Sequence, residues 1–185
     1  MADRRGGSTV LALPGSLPTY YAMYDRIVPA ANKYMATLFN TSATRKVIVT
    51  HVWRLNWQVA AVTGVLLEQY LARITARTAG TGVTVRNDDT ADTLSAGITA
   101  DTNSTSVSED HIISRSFATS EEIVLAAAGL ALVLAVDEGS QIVYQRREGQ
   151  RGITLRQNQG LTVRNVTSST VGTVSYIMEF FDLPA

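Results

Sequence analysis

Residues 45–57 read RKVIVTHVWRLNW, and side chains of opposite character alternate along the segment. Val47, Val49, His51, Trp53, Leu55 and Trp57 fall on one face, and Lys46, Ile48, Thr50, Val52, Arg54 and Asn56 on the other. A period of two belongs to a β-strand, and a strand this long with one aromatic-rich face fixes the class of fold. On this spacing Trp53 and Trp57 are expected to face the core, and His51 to be a hydrogen-bonded core or sheet histidine. Composition agrees: 51 of 185 residues are Val, Ile or Thr, whose stiff, branched side chains pack well on pleated surfaces.

The C-terminal third is the most regular part. Strands are expected at 152–156, at 161–166 and, as a long closing strand, at 171–181. Polar Gln/Asn/Gly and Ser/Thr turns separate them. Upstream, strands are expected at 66–78, 83–86, 111–117, 130–136 and 141–146. Between them, 16 of the 23 residues from 88 to 110 are Asp, Glu, Ser, Thr or Asn, which reads as a long acidic surface loop. Thr119 or Ser120 followed by Glu121-Glu122 reads as the cap and first turn of a short helix ending near Gly129. Residues 1–44 read as an arm. Gly and Pro punctuate its start, four tyrosines lie between Tyr20 and Tyr34, and Pro29 precedes a helix expected over 30–39, with Met35, Leu38 and Phe39 on its apolar side. The expected organisation is therefore an N-terminal arm, 1–44, on an all-β domain, 45–185. That domain is expected to be an antiparallel β-sandwich of about eight strands, best fitted by a jelly roll.

The same sequence narrows the chemistry. At 185 residues and 20.0 kDa there is room for one domain. Sixteen basic residues balance sixteen acidic ones, so nucleic acid is not an expected partner. There is no cysteine and there are two histidines, which leaves no thiolate chemistry and little material for a metal site. No Walker loop, dinucleotide fingerprint, zinc-ligand cluster or nucleophile elbow is present. No catalytic residue, cofactor or metal is assigned, and an enzyme is not expected. The apolar stretch Val10–Leu13 is too short for a signal-peptide core. The run Ile123–Val136 is 14 residues long, short of the roughly 20 that cross a bilayer as a helix. Fourteen of the 16 basic residues are Arg, which suits interfaces better than Lys.

The segment RGITLRQNQGLTVRNVTSSTVGTVSYIMEFF resembles the closing strands of viral jelly-roll structural proteins. Gly160 ends one turn, Ser168-Ser169 form the next, and Phe180-Phe181 close the last strand. With the strand at 45–57, the Arg73/Arg77 strand and the long Asp/Ser/Thr stretch, residues 45–183 are similar to tailed-bacteriophage virion proteins of the capsid-decoration (cement) or auxiliary type. The resemblance implies a structural protein made in the bacterial cytoplasm and carried in the virion. Its partners would be its own copies, most simply as a homotrimer, and the phage major capsid protein. The residues expected to carry such contacts are Tyr20, Tyr21, Tyr24 and Phe39 of the arm, Arg73 and Arg77, Asp88 and Asp89 of the acidic stretch, and Arg146 and Arg147. Acid at 88–110 and Arg at 146–164 are expected to meet between subunits. Two other readings fit the same residues. One is a head–tail connector or tail protein. The other is a glycan-binding β-sandwich using Trp53 and Trp57.

Overall fold

The computed structural model describes residues 17–56, 65–120, 140–167 and 172–185. Twelve strands run through them. They are β1 (Tyr20–Ile27), β2 (Tyr34–Asn40), β3 (Arg45–Asn56), β4 (Val65–Thr78), β5 (Thr81–Gly82) and β6 (Val85–Asn87). After these come β7 (Ile98–Thr102), β8 (Thr105–Ser120), β9 (Ser140–Gln145), β10 (Ile153–Leu155), β11 (Gln159–Asn165) and β12 (Val174–Pro184). Among the described residues there is no helix.

The strands form two six-stranded antiparallel sheets. Sheet A runs β10–β3–β12–β1–β6, with β9 lying end to end with β10 along the same edge of β3. Sheet B runs β5–β7–β2–β11–β4–β8. The main core lies between them. Tyr24, Val47, Val49, Val52, Tyr176 and Met178 enter it from sheet A, and Ala36, Leu38, Leu71, Leu161 and Val163 from sheet B. Burying each large apolar side chain contributes about 1.5–3 kcal/mol, which favours the sandwich over either sheet alone.

Sheet B is covered on its other side as well. β4 pairs with β8 through several register shifts between Leu71 and Thr78. Such bulges bend and twist a ribbon. β4 lies beyond β11, yet β5 pairs with β7 on the far side of β2, so residues 75–80 cross the outside of β11 and β2. The consequence is a second, smaller layer. Met35 to Asn40 are buried without a break, and Phe39, Ala72 and Ile74 are buried apart from the main core. Gly160 makes this layer possible. A Cβ there would meet the Phe39 ring at 2.5 Å and Ile74 at 2.9 Å.

Several expectations are corrected. Residues 34–40 are a strand and not a helix, because both faces of β2 are buried and the alternation that marks a strand is lost. Tyr20–Asn40 supply interior strands to both sheets, so this stretch is not an arm set apart from the β domain. The polar loop is confined to 88–97, since β7 and β8 take up most of 98–110. Thr119 and Ser120 end strand β8 and cap no helix there. The first sixteen residues, Trp57, the remainder of the expected helix, the expected strand at 130–136 and the Ser168-Ser169 turn lie outside the described residues. The strands expected near 45–57, 66–78, 141–146, 152–156, 161–166 and 171–181 are present as β3, β4, β9, β10, β11 and β12.

Candidate interaction surface

A single extra residue in β3 decides which side chains face outward. Val49 pairs with Phe180 and His51 with Glu179, so Thr50 is bulged between them. Its hydroxyl donates to the Glu179 carboxylate and, at 3.2 Å, to the Glu179 carbonyl. A one-residue slip moves every later side chain to the opposite face. Val47 and Val49 point inward, and beyond the bulge Val52 and Arg54 do. His51, Trp53 and Leu55 turn to the outside of sheet A and are half-buried. The expectation that Trp53 sits in the core is corrected for this reason.

Arg54 takes the inward place. It is 1% exposed and spans the two sheets. Its guanidinium donates to the Phe117 carbonyl at 3.1 Å and to Gln69 Oε1 and Ser116 Oγ at 3.4 Å. Gln69 donates in turn to the Tyr176 hydroxyl. Burial holds the Tyr176 phenol far above its ordinary pKa, with Arg54 opposing the shift. A cation so deep is tolerated because both of its terminal nitrogens donate to fixed acceptors.

The outward face of sheet A follows from register. Met23, Ile177, Trp53 and Ile142 line up across β1, β12, β3 and β9. Met23 is 46% exposed and Ile142 54%. In the next row stand Arg86, Tyr21, Glu179, His51 and Gln145. His51 Nδ1 lies 3.0 Å from Glu179 Oε1, as expected of a sheet histidine, and its ring stacks on Trp53 at 4.8 Å and 4°. Burial, then the charges of Glu179 and Asp88, raise the Tyr21 pKa. Beyond this row lie Ile48 and Phe181, paired with each other.

The residues expected to make contacts scatter. Tyr20 and Tyr24 are in the main core. Tyr20 stacks on Phe180 with centroids 5.7 Å apart, and Tyr24 donates to the Thr37 carbonyl at 2.8 Å. Burial lifts the Tyr24 pKa well above its usual value. Phe39 is covered by the Arg77 guanidinium, 5.1 Å from the ring centroid. These three rings are fixed inside their own chain, so they are withdrawn as surface anchors. Tyr21 alone of the aromatic set faces outward.

Arg73 is tied to the Thr154 carbonyl at 2.7 Å and to Gln159 at 3.1 Å. Arg77 pairs with Asp101 at 2.7 Å, with side-chain exposures of 6% and 3%. Asp88 and Asp89 are exposed, and Asp89 accepts the Ala91 N–H at 2.9 Å. Arg147 is exposed and Arg146 half-buried. Two acidic residues of the 88–110 stretch are engaged by Arg of the same chain: Asp101 by Arg77, and Glu109 by Arg164 at 3.0 Å. For these the expected pairing between subunits is replaced by pairing within one. Met23, Ile142 and Ile177 were missed, because no pattern in one strand reports its neighbours across a sheet.

Among the described residues no group of three or more His, Asp or Glu side chains is placed to hold a metal ion. Among them, too, no helix is long and apolar enough to cross a membrane. No protein-family model, curated protein or solved structure matches this chain.

Proposed function

We propose that this chain is a non-enzymatic structural subunit of a tailed-bacteriophage virion, one that self-assembles and binds the capsid surface. The observation that carries the reading is the order of strand pairing. With β5–β7 set aside as an insertion, and β9 and β10 counted as one broken strand, eight strands remain. Numbered along the chain, they pair first–eighth–third–sixth in sheet A and second–seventh–fourth–fifth in sheet B. That order supports the jelly-roll reading of the sandwich, a fold shared by viral capsid proteins, lectins and cupins. It joins the sequence resemblance over residues 45–183 to a topology that virion proteins use. Fold alone does not fix function, so the surface supplies the second support. The outward face of sheet A is broad and carries apolar side chains, Met23, Ile177, Trp53 and Ile142 on one side of the polar Glu179 row and Ile48 and Phe181 on the other, the chemistry of a contact surface.

The test is to add the purified, labelled protein to capsids of the phage that encodes it, stripped of auxiliary proteins, and to image the particles. Density repeated over the shell is the expected result. A ring at one vertex would move the protein to the connector or tail. No bound density anywhere would overturn the reading. The glycan-binding alternative gains less from the geometry: the His51 ring lies flat against one face of the Trp53 indole and covers a surface that a sugar would need.

A further inference from the structure

We infer that the outward face of sheet A packs against the same face of a second copy of this chain. The inference rests on the self-assembly part of the reading above and names the surface that performs it. Three observations converge on a second copy as the occupant.

The first is size. β3 has 12 residues and β12 has 11, and β1 and the β9/β10 edge flank them. At about 3.3 Å per residue and about 4.8 Å between strands, the face covers on the order of 700 Å². One partner in a standard stable interface contributes about 800 Å². Two sheets stacked face to face sit about 10 Å apart with interleaved side chains. The row Met23, Ile177, Trp53 and Ile142, with Ile48 and Phe181 beyond, offers the same kinds of side chain as the interior of the sandwich.

The second is the arrangement of charge. Asp25 lies at one end of the face, where its carboxylate accepts the Ser175 hydroxyl at 2.9 Å and has Arg26 beside it at 3.8 Å. Lys46 lies at the other end, opposite Leu183 in the register. Between Ser175 and Leu183 runs most of the length of β12. Two copies stacked with their strands reversed bring Lys46 of each over the Asp25 carboxylate and its neighbour Arg26 of the other, so that no net like charge is set against like. The central carboxylate, Glu179, is already held by Thr50 and His51 within its own chain. The third is the formal net charge of +0, which leaves no overall repulsion between copies.

A contact between identical faces is two-fold, so it closes at two chains. It is separable by mass from the trimer that the sequence resemblance implies. The experiment is light scattering on the eluting full-length protein over a dilution series, for wild type, Ile142→Asp and Phe117→Asp. Wild type is expected at twice the 20.0 kDa chain mass. Ile142→Asp, at an exposed site, is expected to weaken pairing on the order of a hundredfold and elute as one chain with unchanged circular dichroism. Phe117→Asp, 60% exposed on β8 of the other sheet, is expected to leave the mass unchanged. Met23→Asp is a second variant on the same face, should Ile142→Asp fail to fold.

A wild type that stays monomeric overturns the inference. So does a multimer that survives both face variants, or one that only Phe117→Asp disrupts. A monomer that still decorates capsids removes this inference and leaves the structural-subunit reading standing. A dimer lost in Ile142→Asp but never found on a particle supports the inference and removes that reading.

Discussion

The two sheets have similar strand numbers and opposite surroundings. Sheet B is enclosed on both sides where β2 and β11 run, by the main core within and by the β4/β8 ribbon without. Among the described residues, sheet A is enclosed on one side only. The difference shows in what each outer face holds. Outside sheet B, Asp101 accepts from Ser104 and from the Gly80 N–H, and lies against Arg77. Thr37 and Thr162 join hydroxyls at 2.8 Å, and Ser104 donates to Thr37 at 2.9 Å. These hydroxyls and the Asp101 carboxylate are buried and joined in one network. Outside sheet A, apolar side chains meet water. A closed polar layer stabilises a fold, whereas an open apolar face is a place for a partner.

The contrast can be broken by mutation. Removing Asp101 leaves the Arg77 cation buried without its carboxylate, and such losses cost about 3–5 kcal/mol. Asp101→Ala is therefore expected to give the largest drop in urea-unfolding free energy. A cost no greater than that of a surface substitution would mean that water reaches the pair.

Gly160→Ala comes next. Its Cβ drives into the Phe39 ring and the Leu38 carbonyl, and overpacking of this kind costs about 1–3 kcal/mol. The same substitution at Gly82, where a Cβ meets nothing within 4 Å, is the matched control.

Tyr24→Phe removes the bond from sheet A to the Thr37 carbonyl of sheet B and should cost about 1 kcal/mol. It has a pH signature too. Burial raises the Tyr24 and Tyr176 pKa values above the ordinary 10.0, so both phenols stay protonated where the unfolded chain ionises. Stability is full below pH 10 and declines as pH rises beyond it. Urea melts on either side of that pH should show the decline, shallower in Tyr24→Phe.

The smallest effect is expected outside sheet A. Ile177→Thr, measured at a dilution where the protein is monomeric, should change stability by no more than about 0.5 kcal/mol. A cost like that of Gly160→Ala would show that this face, too, is covered within one chain, and the comparison would fail.

Much of the fold is legible in the sequence, and its gaps have physical causes. β3, β4, β11 and β12 announce themselves by alternation or by turn residues at their ends. β2 hides because it is buried on both faces. Met35, Leu38 and Phe39 then fall at spacings that a helix also produces. β7 hides because Asp101 is buried and bonded under the ribbon, and the start of β8 hides because Thr105, Ser106, Ser108 and Asp110 face water as the residues of a loop would. The proposed contact surface is the least legible part, since its key row draws one residue from each of four strands.

By itself the sequence determined the class: a cysteine-free, charge-balanced chain rich in Val, Ile and Thr, with a strand at 45–57 long enough to anchor a sheet. Backbone alternation and composition are local properties, and a linear reading captures them. The tertiary structure decided the rest. The Thr50 bulge turned Trp53 outward and Arg54 inward, and cross-strand register assembled Met23, Ile177, Trp53 and Ile142 into one row. Both depend on which backbone pairs with which, and that is settled only when distant strands meet.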